Sequence, residues 1–288
     1  MMETLTIVLK VSLVIFMAGN LLDMGLRLNP QNALRGLRNW RFVAHVLLWG
    51  FVIGPAVAWG ITRVVPLAPP YAMGLLLLGM APCAPFLPMF VLKAHGDLGY
   101  TGAFMLLTAV ATVLFMPLAV PLLISGLTVT AWSIAKPLLI VVLLPLAVGM
   151  VILRTSPAVA ARIQPFVKKV TQLATLGVLV LCLVVYGKGL LGMAGSLAVI
   201  SQVVFFAIVT TFTWWLGFGL RPDQKIVLSA GMATRNLGAA LAPLLSVADM
   251  DQRAVVMVVM GLPVMAIFAM LSARWFGLPA TSEEAPRG

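Results

Sequence analysis

The chain has 288 residues, 62% of them hydrophobic and 9% charged, with a formal charge of +11. A soluble domain carries roughly 25% charged residues, so the composition excludes a soluble enzyme and points to an all-α polytopic membrane protein. The basic residues are scattered among short connections rather than gathered on one soluble face, which speaks against nucleic acid as a partner.

A bilayer core about 30 Å thick takes about 20 apolar residues per helical span. The sequence predicts nine such spans, near 5–26, 41–62, 72–92, 98–124, 132–153, 169–187, 194–217, 225–247 and 254–276. Together they form one integral membrane domain over 1–288. The first span opens on Glu3 without a basic start and reaches Arg27 with no A-x-A-like site before it, so it reads as retained rather than as a cleaved leader. Its end, GNLLDMGLRL, carries Asp23, the sole acid expected inside a span. It reads as a helix-end carboxylate in water, with a proton-coupling carboxylate as the alternative, because partial burial favours the protonated form.

The third window reads GMAPCAPFLPMF. Pro82, Pro85 and Pro88 each remove a backbone donor and crowd the preceding turn, so this span is expected to break. The eighth contains GMATRNLGAAL, with Thr234, Arg235 and Asn236 amid apolar residues. An arginine at the centre of a span costs about 2.5–3.5 kcal/mol, so Arg235 should face a cavity and meet an anion, a carbonyl or a carboxylate. Two readings stand: it locks the broken helix, or it supplies fixed charge to an anionic substrate through paired hydrogen bonds. Cys83 and Cys182 both fall in spans, so no structural disulfide is expected, and Cys182 reads as packing. His45 and His95 read as interfacial. Trp40, Trp49, Trp59, Trp132 and Trp275 fit an aromatic belt, and Trp214-Trp215 closes the seventh span. The tail from Leu278 to Gly288 is short, polar and expected to be disordered.

Lys and Arg stay cytoplasmic in short loops. With the N-terminus outside and the C-terminus inside, thirteen basic residues, among them Arg27, Arg35, Arg38, Arg41, Lys93, Arg154, Lys168 and Arg221, fall on the cytoplasmic side, against Arg63, Lys188 and Arg253 opposite. Lys10, Lys136 and Arg235 lie within spans.

A shift of 152 residues lays Gly79-Met80-Ala81 on Gly231-Met232-Ala233, the 41–62 span on 193–214, and the 98–124 span on 250–276. This predicts two four-span repeats, about 5–124 and 169–276, joined by one linking span at 132–153. An odd linker inverts the second copy relative to the first. Irregular backbone is tolerated at membrane depth only inside protein or beside a cavity, so the two interrupted segments should face each other and cross.

The LKAHGD ending of the broken third span and the SAGMATRNLGAAL tract resemble the bile acid:sodium symporter family, over Leu5 to about Leu278. The resemblance implies core and panel domains, two crossing interrupted helices in the core, and a nine-span form. The glutamate that serves both sodium sites in that family falls at Ser229, a glutamine ligand at Ala233, and an asparagine of the substrate cavity at Thr234. Serine and asparagine ligands fall at Leu87 and Pro88, and two hydroxyl ligands at Thr101 and Met105. Most sodium ligands are therefore replaced, leaving Thr101 and Ser229 as possible ion ligands. No cofactor or metal is expected, and little dependence on sodium.

No H-E-x-x-H, G-x-S-x-G or phosphate-binding loop is present. The expectation is a secondary transporter of a small organic anion, with Pro82, Cys83, Pro85, Pro88, Thr234, Arg235 and Asn236 at the substrate site. Two alternatives remain open: a metalloid permease that uses Cys83 as a soft ligand, and a passive channel or ligand sensor on the same fold. The orientation has a direct check. A fluorescent protein fused to the C-terminus should mature and fluoresce, and one secreted with the N-terminus should be reachable by protease from outside; the reverse pattern overturns the N-out reading.

Overall fold

The computed structural model describes residues 2–28, 30–124, 130–193, 196–245 and 251–278. The predicted tail at 279–288, the ends of the 194–217 and 225–247 windows, and the side chains of Lys10, Cys182 and Lys188 lie outside what is described.

The described residues form an all-α structure. In chain order the helices are α1 (Met2–Arg27), α2 (Pro30–Arg38), α3 (Trp40–Leu48), α4 (Gly54–Val64), α5 (Pro69–Met80), α6 (Leu87–Lys93), α7 (Leu98–Leu123), α8 (Ala131–Leu138), α9 (Leu144–Thr155), α10 (Pro157–Met193), α11 (Ala198–Trp215), α12 (Pro222–Met232), α13 (Leu237–Leu245) and α14 (Gln252–Phe276). Six helical stretches are long and apolar enough to cross a membrane: Ile7–Arg27, Trp40–Val64, Leu98–Leu123, Ala131–Thr155, Ala198–Trp215 and Gln252–Phe276. This is a multi-pass integral membrane protein.

Two of those spans are continuous only through a π-helical turn. Trp49–Ile53 joins α3 to α4 and Leu139–Leu143 joins α8 to α9. Each turn is followed by a proline, Pro55 or Pro145, in the first turn of the next helix. A proline cannot donate to the carbonyl four residues back, and widening the ladder by one residue absorbs that defect without ending the span. Trp49 sits in the first π turn and is buried, so it does not belong to the expected interfacial belt. Trp40, Trp59, Trp132, Trp215 and Trp275 are exposed, whereas Trp214 stacks on Phe276 at 4.6 Å between ring centroids.

The helix ends obey local chemistry. Asp97 caps α7 by accepting from the amides of Gly99 (2.7 Å) and Tyr100 (3.1 Å), and Asp251 caps α14 through the Arg253 amide (2.9 Å). The LKAHGD segment ends α6 through His95 in the left-handed region (φ 56), with the Gly96 amide returning to the Val91 carbonyl at 2.9 Å. His95 is exposed, and His45 Nε2 lies 3.0 Å from the Phe218 carbonyl. The short amphipathic α2, bearing Arg35 and Arg38, lies against α7, where Gly36 meets Ala103 and Tyr100.

Packing sorts the helices into two groups. α1, α9 and α10 pack on one another, and α1 and α9 approach through Gly25 and Gly149. The remaining spans pack around α5, α12 and α14. Between the groups, α1 meets α13, α10 meets α14, and α8 meets α7 and α13.

Close backbone approach within the second group rests on glycine. A Cβ at Gly74 would lie 2.8 Å from the Ala254 carbonyl oxygen and 2.6 Å from Met257 Cβ, neither of which can rotate away. At Gly102 the nearest atom, Ala33 Cβ, is 3.8 Å off. Gly74→Ala should therefore lower stability in detergent by about 1–3 kcal/mol through overpacking. Gly102→Ala should hold or raise it by about 0.5–1 kcal/mol through helix propensity. Thermal unfolding of the two variants side by side checks both.

Candidate functional site

The predicted break in the third window falls at Ala81–Phe86, between α5 and α6; the second falls at Ala233–Asn236, between α12 and α13. Pro82 and Pro85 lie within the first break. Pro88 does not: it occupies the first turn of α6, where a missing N–H costs nothing.

The two breaks pair with each other as an isolated antiparallel bridge, Pro82 with Arg235. The Cys83 amide donates to the Thr234 carbonyl (3.0 Å) and the Asn236 amide to the Ala81 carbonyl (2.9 Å). Thr234 Oγ1 accepts from the Ala84 amide (3.1 Å) and donates to the Gly231 carbonyl (3.0 Å), so one hydroxyl ties the first break to the end of α12. Asn236 Oδ1 accepts from the Ala239 amide (3.1 Å) and caps α13. Cys83 holds a left-handed backbone (φ 74), an uncommon conformation for a non-glycine residue and one kept only where the surroundings enforce it. The chains run in opposite directions through the crossing. The beginning of α12 lies by the end of α6, where the Asp97 amide faces the Asp223 carbonyl (3.5 Å) and Arg221 lies 3.6 Å from the Asp97 carboxylate. The beginning of α14 packs on α5 at Gly74.

Arg235 is fully buried. Its backbone amide faces Met265 Sδ (3.2 Å), and its guanidinium carbon stands 4.9 Å from the centre of the Phe205 ring. Nη2 is directed at Gly54, 3.7 Å from where a Cβ would stand. Nε, Nη1 and Nη2 have no hydrogen-bond acceptor among the described residues. The partner expected from the sequence, an anion, carbonyl or carboxylate, is thus not among those residues; the Phe205 π face takes that place, a contact worth about 0.5–2 kcal/mol.

A separate cleft opens between the two helix groups. Its volume is about 490 Å³, and its lining includes Asn20, Asp23 and Arg27 of α1, Lys168, Thr171, Gln172 and Thr175 of α10, Phe86 before α6, Met89 and Phe90 of α6, and Leu262 and Ala266 of α14. Its wall is divided by chemistry, with charge and hydrogen-bonding groups on α1 and α10 and apolar groups on α6 and α14. Asn20, Pro85 and Phe86 also border a narrow crevice at the crossing itself, beside Arg235, Asn236, Leu237 and Gly238. Arg27 and Pro88 also border a side cavity of about 230 Å³ that Thr101 lines.

Asp23 is buried, not in water. Its carboxylate forms an ion pair with Arg27 Nη2 and accepts from Gln164 Nε2 at 2.7 Å, tying α1 to α10. Of the other sequence candidates, Pro85 and Pro88 line the cleft, and Asn236 and Arg235 border the crevice. Pro82 is packed against Gly50, and Cys83 and Thr234 are buried inside the crossing. Thr101 Oγ1 donates to the Asp97 carbonyl (2.9 Å). Ser229 lies deep in the core, donating to the Thr210 carbonyl (2.8 Å) and facing Ser272 Oγ (3.1 Å), far from the role of an open ion ligand. Among the described residues no group of His, Cys, Asp and Glu could hold a metal.

The sequence reading missed Asn20, Arg27, Gln164, Lys168, Thr171 and Thr175. A signal was present: Asn20, Asp23 and Arg27 recur at steps of three and four, as do Gln164, Lys168, Thr171 and Thr175, each marking one polar stripe on an apolar helix.

A family model described as the sodium bile acid symporter family matches residues 14–193, which run from the middle of α1 through α10 and take in the first break. The chain belongs to the sodium bile acid symporter family. It is a family of transporters, and this member is not an enzyme. The chain is also 27% identical over 173 residues to the Arabidopsis thaliana protein named "Probable sodium/metabolite cotransporter BASS3, chloroplastic". That similarity covers 59% of this chain and 40% of the relative, so the chain spans less than half the relative's length in the matched region.

Arg235 belongs to the core and not to the lining of the large cleft. An apolar residue of similar length there removes a charge with no described acceptor, and such replacements stabilise by about 1–4 kcal/mol where packing is kept. Arg235→Met should raise the unfolding temperature in detergent and leave the affinity for a cleft-bound anion within about threefold. A loss of affinity above that, in a folded variant, assigns the guanidinium to the substrate.

Proposed function

We propose that this member of the family is a secondary transporter that carries a small organic anion through the cleft between α1–α10 and α6–α14. The observation that carries this reading is the pair of cations, Arg27 and Lys168, facing an apolar wall across a space of substrate size. A carboxylate or sulfonate on an apolar body matches both sides: the head meets Arg27 and Lys168, and the body lies on Phe86, Met89, Phe90 and Leu262. Asn20, Thr171 and Gln172 add neutral hydrogen-bonding groups.

Transport proceeds by alternating access, with the group of α1, α9 and α10 rocking against the rest. Nine spans are obtained by counting α5–α6 and α12–α13 as interrupted spans and the apolar second half of α10 as one more. The matching breaks, and the Pro69 and Pro222 that open α5 and α12, support two repeats of opposite orientation, with α8–α9 as the link between them. The N-terminus is outside and the C-terminus cytoplasmic, which places the Arg27 and Lys168 end of the cleft toward the cytoplasm.

Sodium coupling is weak or absent. The relative's name speaks for sodium, but the positions assigned to sodium ligands are occupied here by Ala233, by Ser229 with both of its bonds made inside the core, and by Leu87 and Pro88. The buried guanidinium of Arg235 opposes a second cation nearby, by about 3 kcal/mol for unit charges 5 Å apart at an effective dielectric of 20.

The test is uptake of radiolabelled cholate, a carboxylate on a large apolar body, into proteoliposomes. Replacing external sodium with potassium should change the initial rate less than about twofold, and Arg27→Ala with Lys168→Ala should weaken cholate binding by about tenfold or more. A steep sodium dependence sinks the uncoupled reading. Unchanged binding in the double variant sinks the site.

A further inference from the structure

Arg27 borders two spaces, the cleft between the helix groups and the side cavity of about 230 Å³. The side cavity is walled by Met24 and Leu28 at the end of α1, Pro88 of α6, and Leu98, Thr101 and Met105 of α7. Pro88 borders the cleft as well, so Arg27 and Pro88 form a boundary that the two spaces share. Leu98, Thr101, Gly102 and Met105 recur at helical steps, which makes one face of α7 the far wall. Among the described lining residues Arg27 carries the one charge and Thr101 the one hydroxyl, whose proton already goes to the Asp97 carbonyl (2.9 Å). The rest of that wall is apolar.

A guanidinium carries five N–H donors in a planar fork. Arg27 gives Nε to the Asp23 carbonyl (3.3 Å) and Nη2 to the Asp23 carboxylate, whose other oxygen is held by Gln164 Nε2 at 2.7 Å. The Arg27 side chain is still 42% exposed, so its remaining donors can take a ligand while the pair with Asp23 stays closed. Asp23 is thereby a positioning residue that holds the guanidinium at the shared boundary. A carboxylate seated on those donors has its neighbouring carbon at the junction of the two spaces. One substituent on that carbon runs along Phe86, Met89, Phe90 and Leu262 of the cleft, and a second substituent points away from the first, toward the side cavity. An apolar cavity of about 150 Å³ is enough to hold benzene, so this one has room for a ring or a short alkyl arm.

Resting on the anion-transport reading above, we propose that the side cavity is a second arm pocket of the substrate site, and that the preferred substrates are α-branched monocarboxylates, whose carboxylate-bearing carbon carries two apolar arms. The longer arm lies in the cleft and the shorter one fills the side cavity. An unbranched acid fills the cleft alone and gains nothing from the pocket. Gly102 sets the size of the pocket. A Cβ there would stand 3.8 Å from Ala33 Cβ and 3.9 Å from Leu28 Cγ, both ordinary contacts, so a side chain can grow from this position and take the space of the arm.

Displacement of radiolabelled cholate from the detergent-solubilised protein by three acids separates the two spaces. Pentanoate is the reference, 2-propylpentanoate adds an arm beside the carboxylate, and octanoate adds the same three carbons at the far end. In the wild type both additions should tighten binding by about tenfold or more, because each buries three carbons. Gly102→Leu should abolish the gain from the propyl arm, keep the gain from octanoate, and leave cholate affinity within about threefold. Gly102→Ala, which the packing accommodates, should remove part of the arm's gain and serves where the leucine variant does not fold. An arm that brings no gain in the wild type, or a gain that survives in folded Gly102→Leu, overturns the pocket and leaves the transport reading standing. Failure of the folded wild type to bind cholate overturns the cleft itself, and the pocket with it.

Discussion

The pairing of two broken helices through their own backbones is the constraint on which the rest of this structure depends. A break at membrane depth exposes amide and carbonyl groups that lipid cannot satisfy, each at a cost of several kcal/mol. Here the breaks satisfy one another: Cys83 gives its amide to Thr234, Asn236 gives its amide to Ala81, and the Thr234 hydroxyl takes the amide of Ala84. Neither break is affordable alone. The pairing demands close approach, and small residues supply it, with Gly50 packed on Pro82 and Gly54 beside Arg235. The π turn at Trp49–Ile53 brings those two glycines, four residues apart, onto the crossing.

Charge is distributed in two unlike ways about that crossing. Arg235 is enclosed by the core, with the Phe205 ring beside it and no acceptor among the described residues. Arg27 and Lys168 stand on α1 and α10, on the other side of the interface between helix groups, where a ligand can reach them. The apolar wall opposite them belongs to α6 and α14. Each helix group therefore contributes one kind of surface to the cleft.

Much of this was legible in the chain. Three prolines within seven residues from Pro82 to Pro88 can only mean an interrupted span, and Thr234-Arg235-Asn236 among apolar neighbours can only mean a second polar point at membrane depth. The roles were less legible. Thr234 and Asn236 suggested substrate ligands, and in the structure both are used for backbone: one hydroxyl spans the crossing and one amide caps α13. Pro88 suggested a breaker and opens a helix instead, because proline disrupts only where its missing donor is needed. Trp49 suggested an interface and is buried, since a tryptophan about two turns into a span can equally serve as core. The polar stripes of α1 and α10 were present in the spacing but are sparse, and a lone Asn, Asp or Thr on an apolar helix carries no sign of which neighbour its face will meet.

The sequence alone determined the solvent, the helical content and the two points where helices fail, because apolar length, proline chemistry and the cost of a buried charge act locally along the chain. Only the tertiary structure decided that Arg235 turns into the core while Arg27 and Lys168 face the cleft. Those choices depend on which helix faces pack together, and packing is set by contacts between residues more than a hundred positions apart, such as Asp23 with Gln164 and Ala81 with Asn236. Periodicity can place a side chain on a stripe; what lies opposite the stripe is fixed by the fold.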